Sequence, residues 1–313
     1  MALLSDIRSS TGIQRGMLVA GLVLTSLVVL TALFAPLIAP YSWGQTSGAN
    51  GSFGTQQPPS SEHIWGTTVS GFDVFSRVVW GSRTAVAVIL AAVTLSLFAG
   101  VALGLVSGYV GGWLDRISVV VADAIYAFPS LLLAIVMSIA LTGGRSSAIG
   151  GIAAAAISIM VVFIPQYFRV IRAEVIRLKA EPFVLAAVAS GATHWRIMVV
   201  HLLRNATRTL PLVFTLNASE AVLTLAGLGF IGFGIEPTSA AEWGFDLNRS
   251  VADVTSGIWW TALFPGLAIV ITVLGITLLG ESLNDLRDPR LRMRAARAPR
   301  DTATAGASSK EAQ

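Results

Sequence analysis

An all-α polytopic membrane protein with six transmembrane helices is the fold class this sequence predicts. Three observations predict it: an oily composition, six long apolar runs, and arginines gathered on alternate connections. Of 313 residues, 54% are hydrophobic and 12% charged, roughly half the charge of a soluble protein. Cysteine is absent, which excludes disulfides, thiol nucleophiles and thiolate metal sites.

Segment 1–16 carries Arg8 and Arg15 ahead of an apolar run from Met17 to Ala39. At about 1.5 Å per residue that run covers roughly 34 Å, longer than a signal-peptide core and enough to cross about 30 Å of hydrocarbon. It reads as a retained first span. Further spans are expected at about 84–109, 117–141, 149–168, 209–233 and 258–280. Helices satisfy every backbone amide in lipid, and Pro129, Pro165 and Pro265 are expected as tolerated kinks. The loop 40–83 begins with a Gly, Ser, Asn, Gln and Pro-rich stretch and should be irregular. Within it, Phe72 to Trp80 turns Phe72, Phe75, Val78 and Val79 to one side, and Asp73 and Arg77 are spaced to pair at i and i+4. Residues 298–313 are small and polar, and are expected to be disordered. With no repeat of 20 to 50 residues, 17–297 reads as one membrane domain.

Orientation follows from the arginines. With the N terminus inside, only Arg77, Arg83, Arg145 and Arg249 of 21 basic residues fall outside. Both termini are therefore expected to be cytoplasmic.

The largest polar interruption, 169–208, lies inside in this scheme. Phe168, Ile171, Val175 and Leu178 carry the fourth span onward as an amphipathic helix. Pro182 suits the first position of a new helix over Phe183 to Ser190, Gly191 suits a positive φ at its end, and Thr193 suits the cap of a third helix, Trp195 to Leu203. Small residues at Ala186, Ala187 and Ala189 admit a close partner, while Phe183 and Leu185 offer apolar anchors. A helix resting in lipid headgroups beside Trp195 has the same pattern, and the residues alone leave both readings open.

Asp123 and Glu220 are acids inside expected spans, where a charge needs a partner or water. Asp123 is expected to pair structurally, with a place on a translocation path or at an interface with another subunit as its alternative. Glu220, with Asn217 and Ser219, is expected either on a translocation path or at an interface with another subunit. His63, His194 and His201 fall in loops, so no intramembrane nucleophile and base are evident, and neither lysine belongs to a phosphate loop. Two isolated acids form no evident proton relay, although a self-contained secondary carrier or channel is the alternative of a different class. The basic tail serves orientation, and no nucleic-acid partner is expected.

Leu185-Ala186-Ala187, Gly191, and Ile197 through Asn205 resemble the cytoplasmic loop that ABC importer permeases press into their ATPases. Blocks elsewhere resemble dipeptide/oligopeptide importer permeases: His63-Ile64-Trp65-Gly66-Thr67, Gly108-Tyr109-Val110-Gly111-Gly112-Trp113-Leu114-Asp115, Phe128-Pro129-Ser130-Leu131, Gly227-Leu228-Gly229-Phe230, Leu263-Phe264-Pro265-Gly266, and Asp288-Pro289-Arg290-Leu291. Together they cover about Met17 to Arg294 and are similar to the C-type permease of each pair. Departures occur at Arg204, where the family usually has proline, at Thr68 to Asp73, which lacks an acid and an arginine, and at Leu225, usually glutamate. The resemblance implies a type I ABC importer permease fold in the cytoplasmic (inner) membrane of a bacterium. It implies an ATPase-coupling loop carrying Glu181, Phe183, Leu185, Ala186, Ala187, Gly191, Ala192, Trp195, Arg196, His201 and Asn205. The implied partners are a second homologous permease, two ABC ATPase subunits or domains, an external solute-binding protein and the lipid bilayer. The implied substrate is a di- or oligopeptide, with nickel chelates, haem or another small solute as the alternative. No catalysis and no cofactor are expected in this chain, ATP and Mg being used by the ATPases.

Overall fold

A computed structural model describes residues 13–49, 51–143, 148–237 and 239–287. The start of segment 1–16 as far as residue 12, Arg145, the block from Asp288 to Leu291 and the tail 298–313 lie outside the described residues. The longer helices are α1 (Ile13–Leu33), α2 (Val74–Val110), α3 (Gly112–Tyr126), α4 (Ser130–Thr142), α5 (Ala148–Lys179), α6 (Pro182–Ala189), α7 (Leu210–Ile231), α8 (Trp243–Thr255) and α9 (Trp260–Arg287). Strand structure among the described residues is a two-residue pair, Ser47–Gly48 antiparallel to Gly51–Ser52.

Helices α1, α2, α5 and α9, and the helical path from His194 to Ile231 that ends in α7, are each long and apolar enough to cross a membrane. The stretch expected as one span at 117–141 consists of two helices, α3 and α4, which together pass as a sixth span by length and composition but are bent by 96° at their junction. Pro129 disfavours the α conformation at Phe128, and its own ψ of 127° interrupts the helical path, so that it stands as the N-cap of α4 instead of a kink inside one helix. At 13 residues α4 is only about 20 Å long, short of the hydrocarbon thickness by itself. Pro165 and Pro265 do sit inside continuous helices.

Residues 72–80 also differ from expectation, because α2 starts at Val74 and runs 37 residues without a break. Asp73 is its N-cap: the carboxylate accepts from the Ser76 amide at 2.8 Å and meets His63 Nδ1 at 2.9 Å. So committed to the helix end, Asp73 does not pair with Arg77, whose guanidinium reaches Asp246 of α8.

The central packing joins α2 to α5. Gly100, Gly104 and Gly108 form a ridge at i, i+4 and i+8 on α2. A Cβ on Gly104 would stand 2.7 Å from the Phe168 carbonyl, and one on Gly108 would stand 3.0 Å from that of Arg172. Only glycine lets the two backbones approach this closely, the usual means of tight helix contact in lipid. Asp115 of α3 then clasps Arg172 of α5 through two bonds of 2.5 and 2.6 Å.

Candidate functional site

Two regions of the fold collect the sequence-predicted residues. The first is the connection between α5 and α7. α5 continues unbroken to Lys179, after which Glu181 is the N-cap of α6 and Pro182 occupies its first turn. Arg177 holds Glu181 at 3.5 Å. α6 ends in a Schellman turn: Gly191, with φ of 78°, donates its amide to the Val188 carbonyl at 2.9 Å, and Ala192 donates to Ala187 at 3.1 Å. Thr193 Oγ1 then accepts from the Arg196 amide at 3.3 Å and starts the next helical turn. Beyond it the chain winds as a π-helix over Ile197–Leu203. Asn205 donates its side-chain amide to the His201 carbonyl at 2.8 Å within this path back to α7.

Burial divides this hairpin sharply. Val184 is 2% exposed and joins Leu178, Ile197 and Leu202 in the hydrophobic core, so α6 is rooted in α5 and in the path to α7. Leu185 is 60% exposed and Trp195 69%, with Phe183 and Val188 also open. Ala186, Gly191 and Arg196 lie on the exposed side, whereas Ala187, Ala192, His201 and Asn205 are half-buried. A third tie reaches the end of α2: His194 Nδ1 meets the Tyr109 hydroxyl at 2.6 Å, and Lys179 Nζ donates to the Tyr109 carbonyl at 2.6 Å. The hairpin is thus a rigid projection attached to three spans, with an apolar tip and no covering element among the described residues.

The second region is the face of α7. Asn217 and Ser219 are buried, and Ser219 Oγ meets Thr277 Oγ1 of α9 at 3.0 Å. Glu220 is half-buried, and its carboxylate meets no hydrogen-bond or ion partner among the described residues. It lies one turn from Leu216 and close to one turn from Leu223, both exposed, so an unpaired acid stands on an open apolar stripe. Asp123 is remote from this stripe and pairs with Arg169 of α5 at 2.7 Å.

Sequence reasoning missed a third cluster, at the opposite end of the bundle from α6. Glu242 caps α8, its two oxygens accepting from the Gly244 and Phe245 amides at 2.7 Å each. Burial pushes the Glu242 carboxyl up to about 8, against the pull of those two bonds and of Arg77. Arg77, 1% exposed, donates Nε to both oxygens of Asp246 at 2.8 and 2.9 Å, and Trp243 donates to the Val78 carbonyl at 3.0 Å. Burial also raises the Asp246 carboxyl, opposed by Arg77. These contacts bolt α8 to the start of α2, and Asn248, which donates its side-chain amide to the Phe230 carbonyl at 2.6 Å, ties it to the end of α7. The signal available was a run of acids facing few cations in 234–257; their partner, 169 positions from Asp246, was not readable.

The comparisons agree with this architecture. Residues 100–293 match the family model of the binding-protein-dependent transport system inner membrane component. Similar proteins include a dipeptide transport system permease protein of Alkalihalophilus pseudofirmus, 37% identical over 88% of this chain and 86% of the relative. A glutathione transport system permease protein of Pectobacterium atrosepticum is 35% identical over 75% of each chain. An oligopeptide transport system permease protein of Bacillus subtilis is 33% identical over 87% of this chain and 85% of the relative. With its membrane helices and type I ABC permease fold, the chain belongs to the family of binding-protein-dependent transport system inner membrane components.

Proposed function

We propose that this chain is the translocation subunit of an ATP-driven importer for di- or oligopeptides, in which α6 is the helix that receives motion from a separate ATPase. The single observation that carries the reading is the division of α6. Its Val184 root is locked into the core while Phe183, Leu185 and Val188 stand open to a partner. An exposed apolar tip on a rigid base suits a surface that is pushed, because displacement passes to α5 and α7 instead of being absorbed locally. The relatives' peptide and glutathione names support the substrate class.

The chain then works beside a second, homologous permease, two ATPase subunits and an external solute-binding protein, in a bacterial cytoplasmic membrane with α6 on the inner side. The exposed stripe of Glu220 faces the second permease or the path between the two. ATP binds and is hydrolysed in the ATPase subunits. The test is Leu185→Glu, which puts a charge into the proposed contact without disturbing the buried Val184. It should release the ATPase from the detergent-solubilised assembly while the permease pair remains. Retention of the ATPase with undiminished peptide uptake would overturn the assignment.

A further inference from the structure

The hairpin and α8 stand at opposite ends of α2, and each joins α2 to α7. From Arg77 to Tyr109 α2 is unbroken, a rod of roughly 48 Å that carries both joints. We infer that Tyr109 and His194 pass displacement of the hairpin to α2, and that α2 passes it to α8 through Arg77, so that α8 moves when the ATPase binds ATP. The inference rests on the coupling assignment of α6 and adds to it a route along α2 that ends at the far side of the bundle.

Tyr109, the penultimate residue of α2, is gripped by both legs of the hairpin. On the entering leg, Lys179 donates to its carbonyl at 2.6 Å and holds the ammonium 5.3 Å from its ring centroid. On the leaving leg, His194 Nδ1 meets its hydroxyl at 2.6 Å, with the two rings edge to face at 5.8 Å. Because α6 lies between these legs, a tilt of α6 about its buried Val184 shifts His194 relative to Lys179, and Tyr109 touches both. At the other end of α2, Arg77 holds Asp246 and the Val78 carbonyl holds Trp243. α8 is tied in turn to α7: Asn248 bonds the Phe230 carbonyl, and Gly244 lies against the Ala226 carbonyl with no room for a Cβ. The leaving leg runs on helically from His194 to Ile231 and so becomes α7. Two posts, α2 and α7, are therefore joined by the hairpin at one end and by α8 at the other. Rigid elements and the joints between them carry coupling over such distances. The joint at α8 is buried, whereas His194 is exposed and Tyr109 half-buried, so the hairpin joint is the one that can be cut without opening the core.

The experiment uses the intact complex in nanodiscs, its partner subunits freed of cysteine, with an environment-sensitive fluorophore on Val251→Cys, an exposed position of α8 in a chain with no other thiol. Binding of a non-hydrolysable ATP analogue should shift the emission. Tyr109→Phe keeps the ring and the Lys179 contacts and loses only the hydroxyl. It should reduce the shift about 2- to 10-fold, the range for one lost hydrogen bond, and lower peptide taken up per ATP in step. His194→Leu should do the same, and the double variant should be no worse than either single one. His194→Asn, whose side-chain amide takes the place of Nδ1, should restore the shift. No shift in the wild type, equal shifts in wild type and Tyr109→Phe, or additive losses in the double variant would each overturn the inference. Loss of assembled complex in Tyr109→Phe would assign the bond to folding and overturn it as well. Cross-linking of Leu185→Cys to the ATPase tells the two failures apart. An adduct that forms while Tyr109→Phe leaves the α8 shift intact defeats this inference alone, and a wild-type background that yields no adduct defeats the coupling assignment with it.

Discussion

Replacing Gly191 separates conformational from steric effects at the hairpin. Its φ of 78° is left-handed, and a Cβ placed there meets nothing within 4 Å. Substitution by Ala is therefore penalised by backbone conformation alone, about 1–2 kcal/mol, which lowers the population holding the turn roughly 5- to 30-fold relative to its alternatives. Asn visits this conformation more readily and should cost less. Pro cannot reach a positive φ and also removes the amide that bonds Val188, so the Schellman turn is lost outright. In the reconstituted complex, peptide taken up per ATP hydrolysed should fall in the order Gly, Asn, Ala, Pro, with the amount of assembled complex unchanged. A proline variant that couples like wild type, with its assembly intact, would refute the reasoning that this turn sets the pose of α6.

The remaining predictions concern the rest of the frame. Glu242, held near 8 by burial, keeps its proton in the folded chain at pH values where an unfolded carboxyl, near 4.5, has lost it. The stability it contributes is complete below about pH 4.5 and is lost as pH rises to about 8, with a slope of at most about 1.4 kcal/mol per pH unit. Glu242→Gln should flatten that slope in thermal unfolding measured between pH 5 and 8, at the cost of one cap bond. Gly104→Leu should abolish the α2 to α5 contact, since even a Cβ lies 2.7 Å from the Phe168 carbonyl; the expected result is loss of folded protein from membranes, read by size-exclusion profile.

Local rules made the hairpin legible. Pro182 at the start of α6, Gly191 at its end and Thr193 as a cap each act within a few residues, so their roles are readable from the chain alone. The number and place of most apolar runs were legible for the same reason: each run must satisfy its own backbone. The break at Pro129 was harder to read because proline inside a span is compatible with both continuity and rupture, as Pro165 and Pro265 show. Pairing across long sequence distances was not legible at all. Asp73 sits four residues before Arg77, yet capping captures the acid and a distant carboxylate captures the arginine. The inward turn of Ala187, against the outward turn of Ala186, likewise depends on the core formed by Val184, Ile197 and Leu202.

The central claim is that the open face of α6 meets a separate ATPase. Because the chain has no cysteine, Leu185→Cys introduces a single thiol at that face. Treatment of native membranes with a short thiol-to-amine cross-linker should yield one main adduct, between this chain and a nucleotide-binding subunit, whose yield changes when ATP is bound. An adduct to lipid amine alone, with the complex present and intact, would show that α6 rests in the headgroups and would contradict the account.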